Sequence, residues 1–329
     1  MKEFFRLIPY LTFRRLLNLI AYSLSVFLSS IFKRQVLGNN PYGISIEIAA
    51  VCNFSCAECA LANGKTHRTN SFMSCDSFQQ TLSGILPGTM YLNLYFQGEP
   101  LLDSRLDDRI REGKKKKLFV STSTNGSLLD EEMAGKLIDS KLDKIIISVD
   151  GASSETYEQY RIGGDFELLL NNIEGLNRLK KEKNSKKPLI EAQMVVFKHN
   201  EHEINNFKKL MKAKGADIIT LKSAQFYSAE SAQENMSTIP KFQRYKTDRN
   251  GQVILKTDIG SVCKRLWHTI LINSDGKVPV CCYDKEVNHE MGDISKWSQR
   301  KIWKGEAYMQ FRKNYLKGKR EHICTNCDG

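Results

Sequence analysis

From Tyr42 to about Leu221 the chain repeats one pattern: a short apolar run, a polar loop, then a longer stretch with helical spacing. The runs Ile44–Ile48, Met90–Phe96, Leu118–Thr122, Lys144–Val149, Leu189–Phe197 and Asp217–Leu221 are expected strands. Asp76–Ile85, Asp130–Ser140, Phe166–Glu182 and Glu201–Lys214 are expected helices, and Gly215 stands where a helix should stop. Short apolar strands alternating with helices imply a parallel sheet of βαβ units. Six units predict an α/β fold, a partial barrel or an open sheet, whose chemistry gathers in the loops after the strands. Those loops hold a cysteine triplet after strand one, Gln97-Gly98-Glu99-Pro100 after strand two, Ser123-Thr124-Asn125-Gly126 after strand three and Asp150-Gly151 after strand four. One active site on that rim follows.

After about Phe226 the alternation stops. A polar stretch to Asp258 leads to an expected hairpin, Leu271–Asn273 against Lys277–Cys282, turned by Asp275-Gly276. A basic helix follows, then Cys324 and Cys327. This segment is poor in apolar residues, and a bound metal centre would supply the missing stability. Trp267, Trp297 and Trp303 are its expected core.

Nine cysteines in 329 residues do not read as a disulfide framework, which suits small secreted domains. Short-spaced cysteines in a reducing compartment point to metal or redox chemistry instead. Cys52, Cys56 and Cys59, separated by three and two residues, can take three corners of a cubane and leave its fourth iron open to an exchangeable ligand. Zinc is the alternative, with His67 available as a fourth ligand. Cys75, at a helix start, reads as a buried or inert thiol. The other histidines show no metal spacing.

The net charge of +12 favours anionic partners. Its clusters, Lys114–Lys117, Arg178–Lys187 and Lys313–Arg320, read as solvated helix ends and loops. They lack interleaved aromatics, so nucleic acid is not an expected partner. Leu16–Phe32 is apolar, bracketed by Arg14, Arg15, Lys33 and Arg34, and short for a membrane span. No cleavage site follows it, so a secretory signal is not expected. An interfacial helix and a helix packed on the protein's own core both remain open.

The spacing of Cys52, Cys56 and Cys59 matches the CxxxCxxC signature of the radical S-adenosylmethionine (SAM) superfamily. Its place after the first strand resembles that family's partial (β/α)6 TIM-like barrel. Glu58 departs from the pattern, since many members carry an aromatic residue there. Gln97-Gly98-Glu99-Pro100 resembles the GGEP motif, which implies that Gly98 and Glu99 bind the amino group of SAM. Ser123, Asn125, Ser148 and Asp150 resemble positions that hold its ribose and carboxylate, and Arg161 an arginine that pairs with the carboxylate. Cys263 and Cys281, with Gly276 between them, resemble the opening of the SPASM or twitch domain. With Cys324 and Cys327 they make four thiolates, enough to ligate one auxiliary 4Fe–4S cluster. Zinc on the same four thiolates is the alternative, and Cys282 could replace Cys281 by register. Cysteines for a second auxiliary cluster do not follow before Gly329. The set is similar to 2-deoxy-scyllo-inosamine dehydrogenases and anaerobic sulfatase-maturating enzymes.

The resemblance implies three units: a helical segment 1–40, a radical SAM core 41–225 and an auxiliary-cluster domain 226–329. It implies a cytoplasmic oxidoreductase-type enzyme, with peripheral contact at the inner membrane face as an open alternative. Its cofactors would be SAM, the SAM-binding 4Fe–4S cluster and one auxiliary 4Fe–4S cluster, reduced by a flavodoxin- or ferredoxin-type partner. The expected reaction is cleavage of SAM to a 5′-deoxyadenosyl radical and hydrogen abstraction from a sugar, cyclitol or cell-envelope precursor. Maturation of a peptide side chain is the alternative substrate reading. A non-catalytic metal or electron-transfer protein is the rival from another class. No catalytic acid or base is legible.

Overall fold

The computed structural model describes residues 6–256 and 260–327. Helix α1 (Phe13–Phe32) comes first. Six strands then alternate with helices: β1 (Gly43–Ile46), α2 (Cys75–Ser83), β2 (Tyr91–Asn93), α3 (Leu106–Lys115), β3 (Phe119–Thr124), α4 (Glu131–Asp139), β4 (Lys144–Ser148), α5 (Ser154–Tyr160), α6 (Phe166–Glu182), β5 (Leu189–Val196), α7 (Ile204–Ala213) and β6 (Ile218–Ser223). Side chains one residue ahead start several helices: Ser74, Asp130, Ser153 and Asp165 each accept a hydrogen bond from a backbone N–H three residues on.

Beyond β6 the chain adds α8 (Ala229–Asn235), an antiparallel pair β7 (Tyr245–Thr247) and β8 (Val253–Leu255), and β9 (Thr269–Ile272). Strands β1 to β6 and β9 pair in parallel in the order β6-β5-β4-β3-β2-β1-β9. The seventh strand, β9 (Thr269–Ile272), comes from the C-terminal region and lies parallel to β1, with Ile44 opposite Ile270. This corrects the expected hairpin. The turn at Gly276 is present, with φ of +86°, but the strand after it, β10 (Lys277–Pro279), pairs antiparallel with β11 (Glu290–Asp293). An unpaired β1 edge with exposed N–H and C=O groups is the stronger demand, and β9 fills it.

Side chains alternate along the strands with period two. Ile44, Ile46, Leu92, Leu94, Val120, Ile145, Ile147, Ile190, Ala192 and Met194 are buried and form the apolar core with the helices. The intervening residues are largely polar: Ser45, Glu47, Asn93, Ser121, Ser123, Ser148, Glu191 and Gln193. They turn to the concave side and give the barrel a polar lumen, built to hold something other than core.

The C-terminal region adds α9 (Arg265–His268), α10 (Gln299–Trp303) and α11 (Glu306–Leu316). Trp267 and Trp303 are fully buried, whereas Trp297 is 44% exposed, against expectation. The ring of Trp303 lies 4.3 Å and that of Tyr308 4.7 Å from the Arg312 guanidinium. Arg312 donates to the carbonyls of Leu266 and Trp303. Its ring contacts explain how a region short of aliphatic residues still packs tightly.

Candidate functional site

The loop after β1 carries Cys52, Cys56 and Cys59. It is tied down by backbone bonds from Ser55 N–H to the Ile162 carbonyl and from Ala57 N–H to the Tyr160 carbonyl. All three cysteines line one cavity of about 370 Å³ at the C-terminal end of the strands. Its wall also takes Gly98 and Glu99 from the loop after β2, Asn125 from the loop after β3, Arg161 from the end of α5, and Ser123, Ser148 and Gln193 from the ends of β3 and β4 and from within β5. Three of the four polar loops expected on the rim thus meet at this cavity, and Asp150-Gly151 does not line it.

Burial pushes the Cys52 and Cys56 thiols up, and the Arg161 guanidinium opposes the rise at Cys56. Arg161 Nη1 lies 3.6 Å from Cys56 Sγ, and the Phe54 N–H donates to Cys52 Sγ at 3.4 Å. Donors and a cation aimed at sulfur favour thiolates. Among the described residues no three His, Cys, Asp or Glu side chains converge as they would on a single ion. All three thiols reach the same cavity, as three corners of one cluster require. His67 does not line this cavity.

Gly98 and Glu99 hold the second loop against the first. A Cβ on Gly98 would sit 2.2 Å from the Ala49 carbonyl oxygen, and the Glu99 N–H bonds the Val51 carbonyl. The buried Glu99 carboxylate accepts from the Leu101 and Asn125 N–H groups and the Thr124 hydroxyl. A carboxylate offers about four acceptor sites, so one remains for an ammonium group. Burial pushes the Glu99 pKa up.

Asp150 requires a correction. It is fully buried and does not line the cavity. One of its oxygens accepts from the Val195 N–H and the other from Arg161 Nε at 2.6 Å. Burial works against charge on Arg161, and Asp150 with Cys56 more than offsets it, holding the guanidinium charged. Asp150 therefore positions Arg161 and makes no surface for a ligand.

A second group of thiols forms in the C-terminal region. Cys263, Cys281, Cys324 and Cys327 line one small enclosed space walled by Leu266, Phe311, Tyr315 and Ile323. Cys282 lines a different cavity, with Arg265 Nη1 3.6 Å from its sulfur. Four thiols in an apolar enclosure fit a fully ligated cluster. Burial raises the Cys281 thiol well above its usual value and the Cys324 thiol to about 11.

Residues 46–211, half of the chain, match the model of the radical SAM superfamily. The chain belongs to that superfamily. Residues 263–328 match the SPASM iron–sulfur cluster-binding domain. This radical SAM enzyme therefore uses SAM and a SAM-binding 4Fe–4S cluster, with an auxiliary iron–sulfur cluster in its C-terminal domain. A tungsten-containing aldehyde ferredoxin oxidoreductase cofactor-modifying protein of Pyrococcus furiosus is 27% identical over 318 residues, 86% of each chain. The crystal structure of BtrN in complex with AdoMet and 2-DOIA superposes with a TM-score of 0.53 at 16% identity, covering 88% of this chain and 94% of that one. Native anSMEcpe with bound AdoMet and a Cp18Cys peptide gives a TM-score of 0.57 at 19% identity, covering 88% of each. At such identities the two structures establish a shared fold.

Gln193 and Lys285 are among the wall residues of the first cavity that sequence reasoning missed. Gln193 lies inside an expected strand whose apolar neighbours masked its inward direction. Lys285 reaches in from the C-terminal domain and lines the first cavity. Nothing local marks a lysine that acts across such a sequence distance.

Proposed function

We propose that Cys52, Cys56 and Cys59 hold the SAM-binding cluster and that Cys263, Cys281, Cys324 and Cys327 hold the auxiliary one. We assign residues 1–40, 41–225 and 226–329 to an N-terminal helical segment, the radical SAM core and the auxiliary-cluster domain. The substrate on this reading is a small polar anion, of the kind found among sugar, cyclitol or cell-envelope precursors, and it undergoes a redox modification.

The observation that carries the substrate reading is a third cavity of about 410 Å³ between the two thiol groups. It shares Tyr95, Phe96, Gln97 and Lys285 with the first cavity, and Arg265, Cys281 and Tyr283 with the auxiliary site. Ser45, Asn93, Gln225 and Thr269 line it with hydroxyls and amides, and Lys222, Arg265 and Lys285 supply three cations. Its size suits a small ligand. Burial pulls the Lys222 and Lys285 ammonium groups down, a cost that a phosphate or carboxylate would offset.

Held in the first cavity, the cluster and SAM would supply one-electron cleavage of the sulfonium to methionine and a 5′-deoxyadenosyl radical able to take a hydrogen atom. Arg161 presents its charge to the SAM carboxylate, and Glu99 its remaining acceptor site to the amino group. Ser123, Asn125 and Ser148 offer polar partners to the rest of the molecule. Lys285, anchored on the Tyr227 hydroxyl, helps close the mouth of the barrel and keep water from the target C–H. A flavodoxin- or ferredoxin-type protein provides the electron.

Anaerobically reconstituted enzyme, given dithionite, SAM and deuterated sugar or cyclitol phosphates, should move deuterium into 5′-deoxyadenosine. A peptide library should not. The reverse result would establish peptide or protein maturation, the reading favoured by the likeness to a structure holding a bound peptide. Failure of both sets to donate label, with 5′-deoxyadenosine still formed, would overturn the anionic small-molecule assignment.

A further inference from the structure

Helix α1 lies on the fold through a face whose fully buried residues are polar, with Tyr22 and Val26 packed half-buried beside them. Arg15, Asn18, Ser25 and Ser29 are its buried residues. Arg15 Nη1 donates to the carbonyls of Tyr10 and Lys117 at 2.7 and 2.8 Å. Asn18 exchanges two hydrogen bonds with the Asn40 backbone. Ser25 and Ser29 accept from the N–H groups of Gly38 and Val36. The opposite face carries Phe13, Leu17, Ile20, Leu24, Phe27 and Ile31, each between 48 and 74% exposed. Their spacing of four and three residues puts them on one stripe, ~30 Å long for a helix of 20 residues. A helix docked on its own core would show the opposite arrangement.

The charge around the stripe says what covers it. No aspartate or glutamate occurs between residues 4 and 46, whereas Arg6, Arg14, Lys33 and Arg34 flank the helix. Beside its entry, Lys117, Lys141 and Lys186 rim a broad depression that also includes Tyr10. Two further lysines there, Lys114 and Lys187, are ion-paired with the buried Asp143. A second copy of the chain would bring these cations against their own likeness. A spanning orientation, which the helix's length and composition alone would permit, would strip the hydrogen bonds of Arg15, Asn18, Ser25 and Ser29.

We propose that α1 docks this enzyme on an anionic bilayer surface. The helix lies in the plane of the interface, its stripe among the upper acyl chains and its lysines and arginines at the headgroups. The polar face stays bonded to the fold, so the barrel is held at a fixed attitude to the lipid.

The test is co-sedimentation of the full-length enzyme with phosphatidylcholine vesicles, with and without phosphatidylglycerol. Wild type should pellet with the phosphatidylglycerol vesicles and be released by high salt. Leu17→Glu with Leu24→Glu and Phe27→Glu should abolish pelleting while circular dichroism and 5′-deoxyadenosine formation stay at wild-type levels, because those side chains touch little of the fold. Reversing Lys117, Lys141 or Lys186 to glutamate should lower partitioning about fivefold per charge. Equal pelleting of the triple glutamate variant, or none by wild type, would overturn the proposal. So would resistance of membrane-bound enzyme to alkaline carbonate, which marks a span. A dimer in lipid-free solution that the same substitutions break would assign the stripe to a second copy instead.

Discussion

The two thiol groups of this enzyme occupy opposite kinds of space. Around Cys52, Cys56 and Cys59 the cavity is wide, polar and charged, with three thiols, the Arg161 guanidinium and a wall of hydroxyls and amides. Around Cys263, Cys281, Cys324 and Cys327 there are four thiols, apolar walls and almost no spare room. An open, polar setting with one ligand too few admits an exchangeable molecule, whereas a closed apolar one with a full ligand set protects a centre that only gains and loses electrons. Surroundings, as much as thiol count, separate the two roles.

The contrast breaks first at Cys56. Cys56→Ser should bring 5′-deoxyadenosine formation to background while leaving about four of the roughly eight irons expected for two cubanes, measured by iron and sulfide assay. Unchanged product would remove the distinction between the sites. Next in size, Cys281→Ser should lose about four irons, whereas Cys282→Ser should keep all of them. Equal losses would show that the enclosure does not choose its ligands. Arg161→Gln should weaken SAM binding roughly 10- to 100-fold, as expected for a lost buried charge contact, with both clusters retained. Asp150→Asn, acting through Arg161, should weaken it less.

The smallest effect lies on the seam between the two sites. His268 lines the third cavity, stacked 5.2 Å from the Tyr42 ring. Burial, aided by Arg265 and Lys264, pulls its pKa from 6.5 to about 4. The folded state thus holds His268 neutral where the unfolded chain would protonate it. Its contribution is intact above pH 6.5 and is lost as the pH falls toward 4, up to ~3 kcal/mol. Thermal melts of His268→Gln should show a shallower loss of stability across that window. An identical acid slope would exclude this group as its source.

The parallel core was legible because period-two apolar runs and loop polarity are local properties. The first cysteine triplet was legible for the same reason. What escaped depends on distant partners. Thr269–Ile272 read as half of a hairpin because its true neighbour, β1, lies more than two hundred residues earlier. Asp150 looked like a ligand contact because it resembles a position that holds SAM, yet the positive φ of 43° at this residue and the bonds to Val195 and Arg161 turn it inward. Trp297 was placed in the core on residue type alone, and only the fold shows it to be half-exposed. The N-terminal run announced an apolar helix, but which face it buries was decided by the backbone groups of residues 36–40 waiting for Asn18, Ser25 and Ser29.

The pairing of β9 with β1 has a consequence for biosynthesis. During translation the first cysteine loop leaves the ribosome while the strand beside it still lacks its outer neighbour, and that neighbour is made only near the end of the chain. The nascent barrel must wait with an open seam, guarded or not, until Thr269–Ile272 arrives, more than two hundred residues after β1, to close it. Metal delivery to the early loop can precede that closure, whereas Cys281, Cys324 and Cys327 are made only after the closing strand.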